Sequence, residues 1–321
     1  MIQDFTQTYT LTNHSVLLAD HSQNSLWVVD SNSRELLWSK PYSTPIYDCY
    51  VLTNPVKIVV MTQENNSPKK MVLSQDGTVL SQQTFKNIKM DGIQDINWSP
   101  AKDSGKERLI LSSNDQISLY QYPWKKATSS IPFKVFKDNE FESTRVEDVQ
   151  THFPYVAVKL SGSSLVQTQD MYRIIDVTTK KKIALTADWN VNTNFVLEGK
   201  ELVMYTSGIM GVPGGIVPGR NYTMYTRYDL KTGAPVAKLT RSFSNSEANW
   251  VTSYIQSRLF LSDTDHPSTF AMYNKDAKLV KEVQTEANTM KSQPIGYNSS
   301  QLFLLTPAGE GEAQVSAVDL N

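Results

Sequence analysis

Asp48, Asp95 and Asp148 stand 47 and 53 residues apart, each opening a short run with the alternation of a β-strand: DCYVL, DINW and DVQTH. Aligned on these runs, the three carboxylates share one position, which Thr193 fills in a further run and Gln7 in the first. Acids gathered at one end of neighbouring elements suit two chemistries. They can hold a cation, or they can serve as acid and base on a glycan, because adjacent carboxylates drive their pKa values apart. Asp91 and Glu147 lie close by in the sequence. The competing role is structural: an aspartate at a strand entry accepts the N–H groups of the loop that leads into it. The three aspartates are the one candidate the chain offers for a polar catalytic site.

Other chemistries lack their residues. His14, His21, His152 and His266 are scattered without ligand spacing, and SDTDH before Pro267 falls short of a calcium loop. Cys49 is the only cysteine, which rules out an intrachain disulfide or a thiolate cage; within CYVL it reads as a small buried hydrophobe. There is no Gly-x-Ser-x-Gly elbow and no glycine-rich loop ending in Gly-Lys-Ser/Thr. No metal and no cofactor are expected. A net charge of −1 gives no general attraction to nucleic acid or to an anionic membrane. No run approaches the length of a membrane-spanning helix.

Binding residues are sought in the long loops. SGIMGVPGGIVPGRN (207–221) holds five glycines and two prolines, yet keeps five aliphatic side chains that a solvated linker would shed. Met210, Val212, Ile216 and Arg220 are its candidate ligand contacts. Trp189 in ADWNVN and Trp250 in EANWVT are placed to stack on a sugar or anchor a peptide, or else to cap their own segments. Two further elaborations, SGSSLVQTQD (161–170) and the stretch 129–146, neighbour the first in repeat order. Lys125-Lys126 and Lys180 to Lys182 read as solvated turns.

The elements that must position these residues recur. LWVVD, KMVLS, ISLYQ, YRIID, MYTRYD, FAMYN and VSAVD end at residues 30, 74, 121, 176, 229, 274 and 319, at intervals of 44 to 55 residues. Each is preceded by a strongly apolar run, SVLLAD, KIVVMT, RLILSS, YVAVKL, ELVMYT, RLFLSD and QLFLLT, and before that by a less regular one. The first six also continue through a polar turn into a further strand-like run. Four short strands in a meander of about 45 residues are the pattern of a propeller blade. Helix-friendly composition is confined to short segments such as 137–149. The chain stops after the third strand of its seventh unit, so the last blade is three-stranded or is completed by 1–5.

SLWVVDSNSRELLWSK (25–40) and YTRYDLKTGAPVAKLT (225–240) resemble the strand–Asp–x–x–Thr–Gly–strand repeat of PQQ-like (quinoprotein-type) and YVTN-type propellers. In that repeat the aspartate accepts backbone N–H groups and the glycine takes the positive φ of the reversal. Only Asp229 to Gly233 carries the motif in full.

The sequence therefore predicts an all-β, seven-bladed β-propeller in one domain, 1–321, with blades near 7–40, 46–84, 91–128, 146–186, 192–241, 249–284 and 294–321. The expected function is non-enzymatic binding, in which the elaborated loops of blades three to five meet a protein, peptide or cell-envelope ligand. The alternative is a carbohydrate-active hydrolase or lyase using Asp48, Asp95 and Asp148 at the channel mouth. A monomer outside the cytoplasm is expected, since one cysteine and abundant Ser, Thr, Asn and Gln suit that setting.

Overall fold

The computed structural model describes residues 5–12, 14–30, 32–33, 35–100, 106–113, 115–132, 143–163, 168–186, 191–209, 216–285, 289–298, 300–309 and 312–320. Its strands form seven antiparallel sheets, each built from strands consecutive in the chain; six have four strands and the last has three. The fold is a seven-bladed β-propeller. The blades run from Phe5 to Pro41, Asp48 to Thr84, Ile93 to Pro132, Ser143 to Thr186, Val191 to Ser242, Trp250 to Gln284 and Gln293 to Asp319. Among the described residues, no helix is long and apolar enough to cross a membrane.

Burial falls from the inside of a blade outward, and residue choice follows it. Second strands such as Ser15–Asp20 and Arg258–Asp263 are buried along almost their whole length, on both faces of the sheet. They read as unbroken apolar runs, and Ser15–Asp20 shows why: the sheets of blades two and seven cover its two faces. Fourth strands such as Leu36–Pro41 and Pro235–Ser242 alternate between exposed and half-buried positions, which is the period-two pattern of an edge.

The chain divides into two compact units, Met1–Val135 with Ile295–Asn321, and Phe136–Pro294. In the first, Leu17, Leu26, Cys49, Ile58 and Leu73 pack blade one on blade two. Val59, Met61, Trp98 and Leu109 pack blade two on blade three. Val16, Leu18, Phe303 and Leu305 pack blade seven on blade one. Phe5 pairs with Asp20 as the start of blade one's first strand, and blade seven has the three strands Gln293–Tyr297, Gln301–Gly309 and Glu312–Asp319.

In the second unit, Tyr155, Tyr172, Phe195 and Leu202 join blade four to blade five, and Tyr222, Phe243, Trp250 and Leu261 join blade five to blade six. Two boundaries differ from the sequence expectation. Ser143–His152 is a strand laddered to Tyr155–Ser163, although this stretch overlaps the helix-friendly 137–149; pairing with a long apolar neighbour overrides local propensity. The same long hairpin, with Thr168–Asp176 as its returning strand, takes up most of the predicted loop 161–170.

Candidate functional site

The loop between the second and third strands of blade five is anchored along its returning arm. Ile216 N donates to Ser246 O at 3.3 Å, and Gly219 N to Phe243 O at 3.0 Å. Val217 N donates to the Tyr222 hydroxyl at 2.9 Å. The arm is thereby laced to the connection between blades five and six. Ile216 is buried within the aromatic group of Tyr222, Phe243 and Trp250. Val217, Pro218, Gly219 and Arg220 stay exposed, and the Arg220 guanidinium sits 5.5 Å from the centre of the Tyr222 ring. Trp250 is 1 % exposed, stacked on Phe243 at 5.2 Å, with its indole N–H given to the Thr206 carbonyl at 2.7 Å. Of the predicted contacts, Ile216 and Trp250 hold the loop's base and Arg220 stands on its rim. Met210, Val212 and Trp189 lie outside the described residues.

The three aspartates occupy equivalent positions. Asp48, Asp95 and Asp148 pair in register with Met61, Ser112 and Lys159, in each case the fifth residue of the adjacent apolar run. Gln7 faces Ala19 in the same way, whereas Thr193 faces Thr206, one residue further along, with a register shift beside it. Each carboxylate accepts a backbone N–H. Asp48 is 9 % exposed and takes that of Trp98, in the next blade, at 3.0 Å. Asp95 takes that of Ile96 at 2.8 Å, and Asp148 that of Val149 at 2.7 Å. Asp95 also accepts from the Asn97 amide, and Asp148 from the Gln150 amide. Gln150 in turn bonds Phe195 O and Leu197 N, tying blade four to blade five.

The second unit adds a polar cluster that the sequence did not single out. Lys159 Nζ lies 3.0 Å from Asp170 Oδ2 and donates to Thr193 O at 2.8 Å; the Tyr172 hydroxyl donates to the same carbonyl at 3.1 Å. Asp170 is 4 % exposed. Burial raises its pKa, outweighing the attraction of Lys159, and burial together with the Asp170 charge pushes the Tyr172 phenol up. In blade six, the buried Asp263 carboxylate pairs with Arg241 and holds His266 Nδ1 at 3.0 Å, leaving that imidazole largely exposed. Cys49 is 1 % exposed and burial drives its thiol pKa up, as befits a packed hydrophobe. Among the described residues, no group of three or more His, Cys, Asp or Glu side chains is arranged to hold a metal ion.

No family model matches the chain, and no curated protein matches it. Solved structures do. Hsv2 from Kluyvelomyces marxianus is similar over 98% of this chain and 97% of its own, with 12% identity and a TM-score of 0.50. Hydrazine synthase from Kuenenia stuttgartiensis is similar over 94% of this chain and 92% of its own, with 11% identity and a TM-score of 0.52. Sites do not travel with a fold at such identities. What the chain shares with both is the β-propeller architecture.

Proposed function

We propose that this protein is a non-enzymatic binding module that offers the elaborated loops of blades three to five to a protein, peptide or cell-envelope ligand. The observation that carries this reading is the lacing of the blade-five loop. Three hydrogen bonds and a buried Ile216 fix the arm while Val217 to Arg220 face solvent. A surface segment whose backbone is already ordered has less conformational entropy to lose on binding. Its exposed residues combine one aliphatic side chain, one proline and one cation, a mixture suited to an extended peptide or an acidic surface. The acid/base alternative has less support, since all three aspartates are engaged by backbone N–H groups. We place the protein outside the cytoplasm on composition.

A photo-crosslinking residue at Val217, introduced in the cells that naturally make the protein, tests the reading. The expected result is a discrete adduct that is lost when Arg220→Ala is added. Adducts indistinguishable from those formed by the same residue at Lys231, in the turn between the third and fourth strands of blade five, would overturn it.

A further inference from the structure

A cavity of about 220 Å³ lies against the sheet of blade five on the side of blade four, room for about seven waters at roughly 30 Å³ each. Its lining is unlike the rest of this interface. Where Tyr155, Phe195 and Leu202 meet, large apolar side chains close the two sheets together. At the cavity, Met204 of that apolar group and Pro235 are joined by Thr193, Thr206, Thr223 and Thr226 from the first three strands of blade five, with the exposed Lys238 on the outer strand. Threonine is too short to span the gap, so the space stays open and hydroxyl-lined.

The hydroxyls differ in what they have left to offer. Thr206 donates to Thr223 O at 2.7 Å. Thr226 is 5 % exposed, lines the cavity, and makes no side-chain hydrogen bond to any described residue, so one buried hydroxyl presents both its donor and its acceptor to whatever enters. Among the described residues no carboxylate lines the cavity, and a lone exposed lysine at the outer strand is a poor cage for an anion. Alternating hydroxyls and methyls match a molecule that alternates hydroxyl groups with C–H faces.

From this we infer that the cavity is a binding site for a single pyranose ring, free or at the end of a glycan. The site is separate from the blade-five rim and does not depend on the reading given to that loop.

Saturation-transfer NMR with methyl β-glucopyranoside, methyl α-mannopyranoside, methyl β-galactopyranoside and methyl N-acetyl-β-glucosaminide at millimolar concentration tests the inference. Ring-proton saturation is expected for at least one. Thr226→Val and Thr223→Val keep the side-chain shape and remove the hydroxyl; each is expected to weaken that glycoside about tenfold, while Arg220→Ala leaves it unchanged. Three results would overturn the inference: no saturation with any of the four, saturation indifferent to both valine variants, or displacement of the glycoside by inorganic phosphate in the wild type but not in Lys238→Gln, which marks an anion site.

Discussion

The ammonium of Lys159 stands 3.0 Å from the carboxylate of Asp170, and both reach the backbone of Thr193 on the neighbouring blade. The pair fastens the first strand of blade five to blade four from within the interface, where each charge is largely out of water.

Because burial outweighs the lysine, Asp170 titrates above its ordinary value in the folded protein. The unfolded chain then releases this proton first as pH rises. Native stability should fall from about pH 4, the unfolded value, up to the raised folded value, and level off above it. Urea unfolding at a series of pH values should show this decline in the wild type and lose it in Asp170→Asn; parallel profiles would refute the assignment. Lys159→Met strands the carboxylate without its cation and is expected to cost about 3 kcal/mol at neutral pH.

Trp250 is the keystone of the contact between blades five and six. Its ring stacks on Phe243 and meets Tyr222 at 5.7 Å, and its N–H satisfies the Thr206 carbonyl. Trp250→Phe keeps most of the apolar contact and removes that hydrogen bond, while the Thr206 carbonyl still accepts from the Thr252 hydroxyl at 2.8 Å, for an expected loss of about 1 kcal/mol. Trp250→Ala also opens a cavity and should lose about 3–5 kcal/mol. Denaturant midpoints check both, and a phenylalanine variant as damaged as the alanine one would show that the hydrogen bond dominates.

Much of this architecture is legible in the chain because blade strands differ in burial. Second strands covered on both faces show as unbroken apolar runs, and SVLLAD and RLFLSD are recognisable at sight. The equivalence of Asp48, Asp95 and Asp148 is legible too, since each faces the fifth residue of such a run. The Lys159–Asp170 pair is not, because its meaning comes from Thr193, a residue of another blade. Gln150 and the Arg241–Asp263 pair are hidden for the same reason: nothing in an alternating strand tells which polar side chain will meet a neighbour.

The turns between third and fourth strands give a test of backbone conformation alone. Asp229 Oδ1 accepts Thr232 N at 2.8 Å and Gly233 follows at φ 81°. Blade four repeats the turn, with Asp176 accepting Thr178 N and Thr179 N, but puts Lys180 at φ 64° in place of the glycine. Left-handed backbone costs a residue with a β-carbon roughly 1–2 kcal/mol. Lys180→Gly should therefore stabilise the protein by about 1 kcal/mol and Gly233→Ala destabilise it by a similar amount. Opposite shifts in urea midpoint are the expected readout; a destabilised Lys180→Gly would mean that the lysine side chain contributes more than its backbone loses.

Gly208 adds a contact to the same conformational demand. It sits at φ 67° where the blade-five loop leaves its second strand, and a β-carbon there would stand 2.6 Å from Asn249 Oδ1. That oxygen is the acceptor for the backbone N–H of Trp250 at 2.9 Å, so any shift by Asn249 disturbs the entry to blade six. Gly199, at φ 60°, has nothing within 4 Å of its would-be β-carbon and isolates the conformational part. Gly199→Ala is expected to cost about 1 kcal/mol and Gly208→Ala about 2–3 kcal/mol, with faster hydrogen exchange at the Trp250 amide only in the latter. Equal losses for the two alanine variants, with Trp250 protection intact, would show that Asn249 yields freely and that the loop base is not held by this contact.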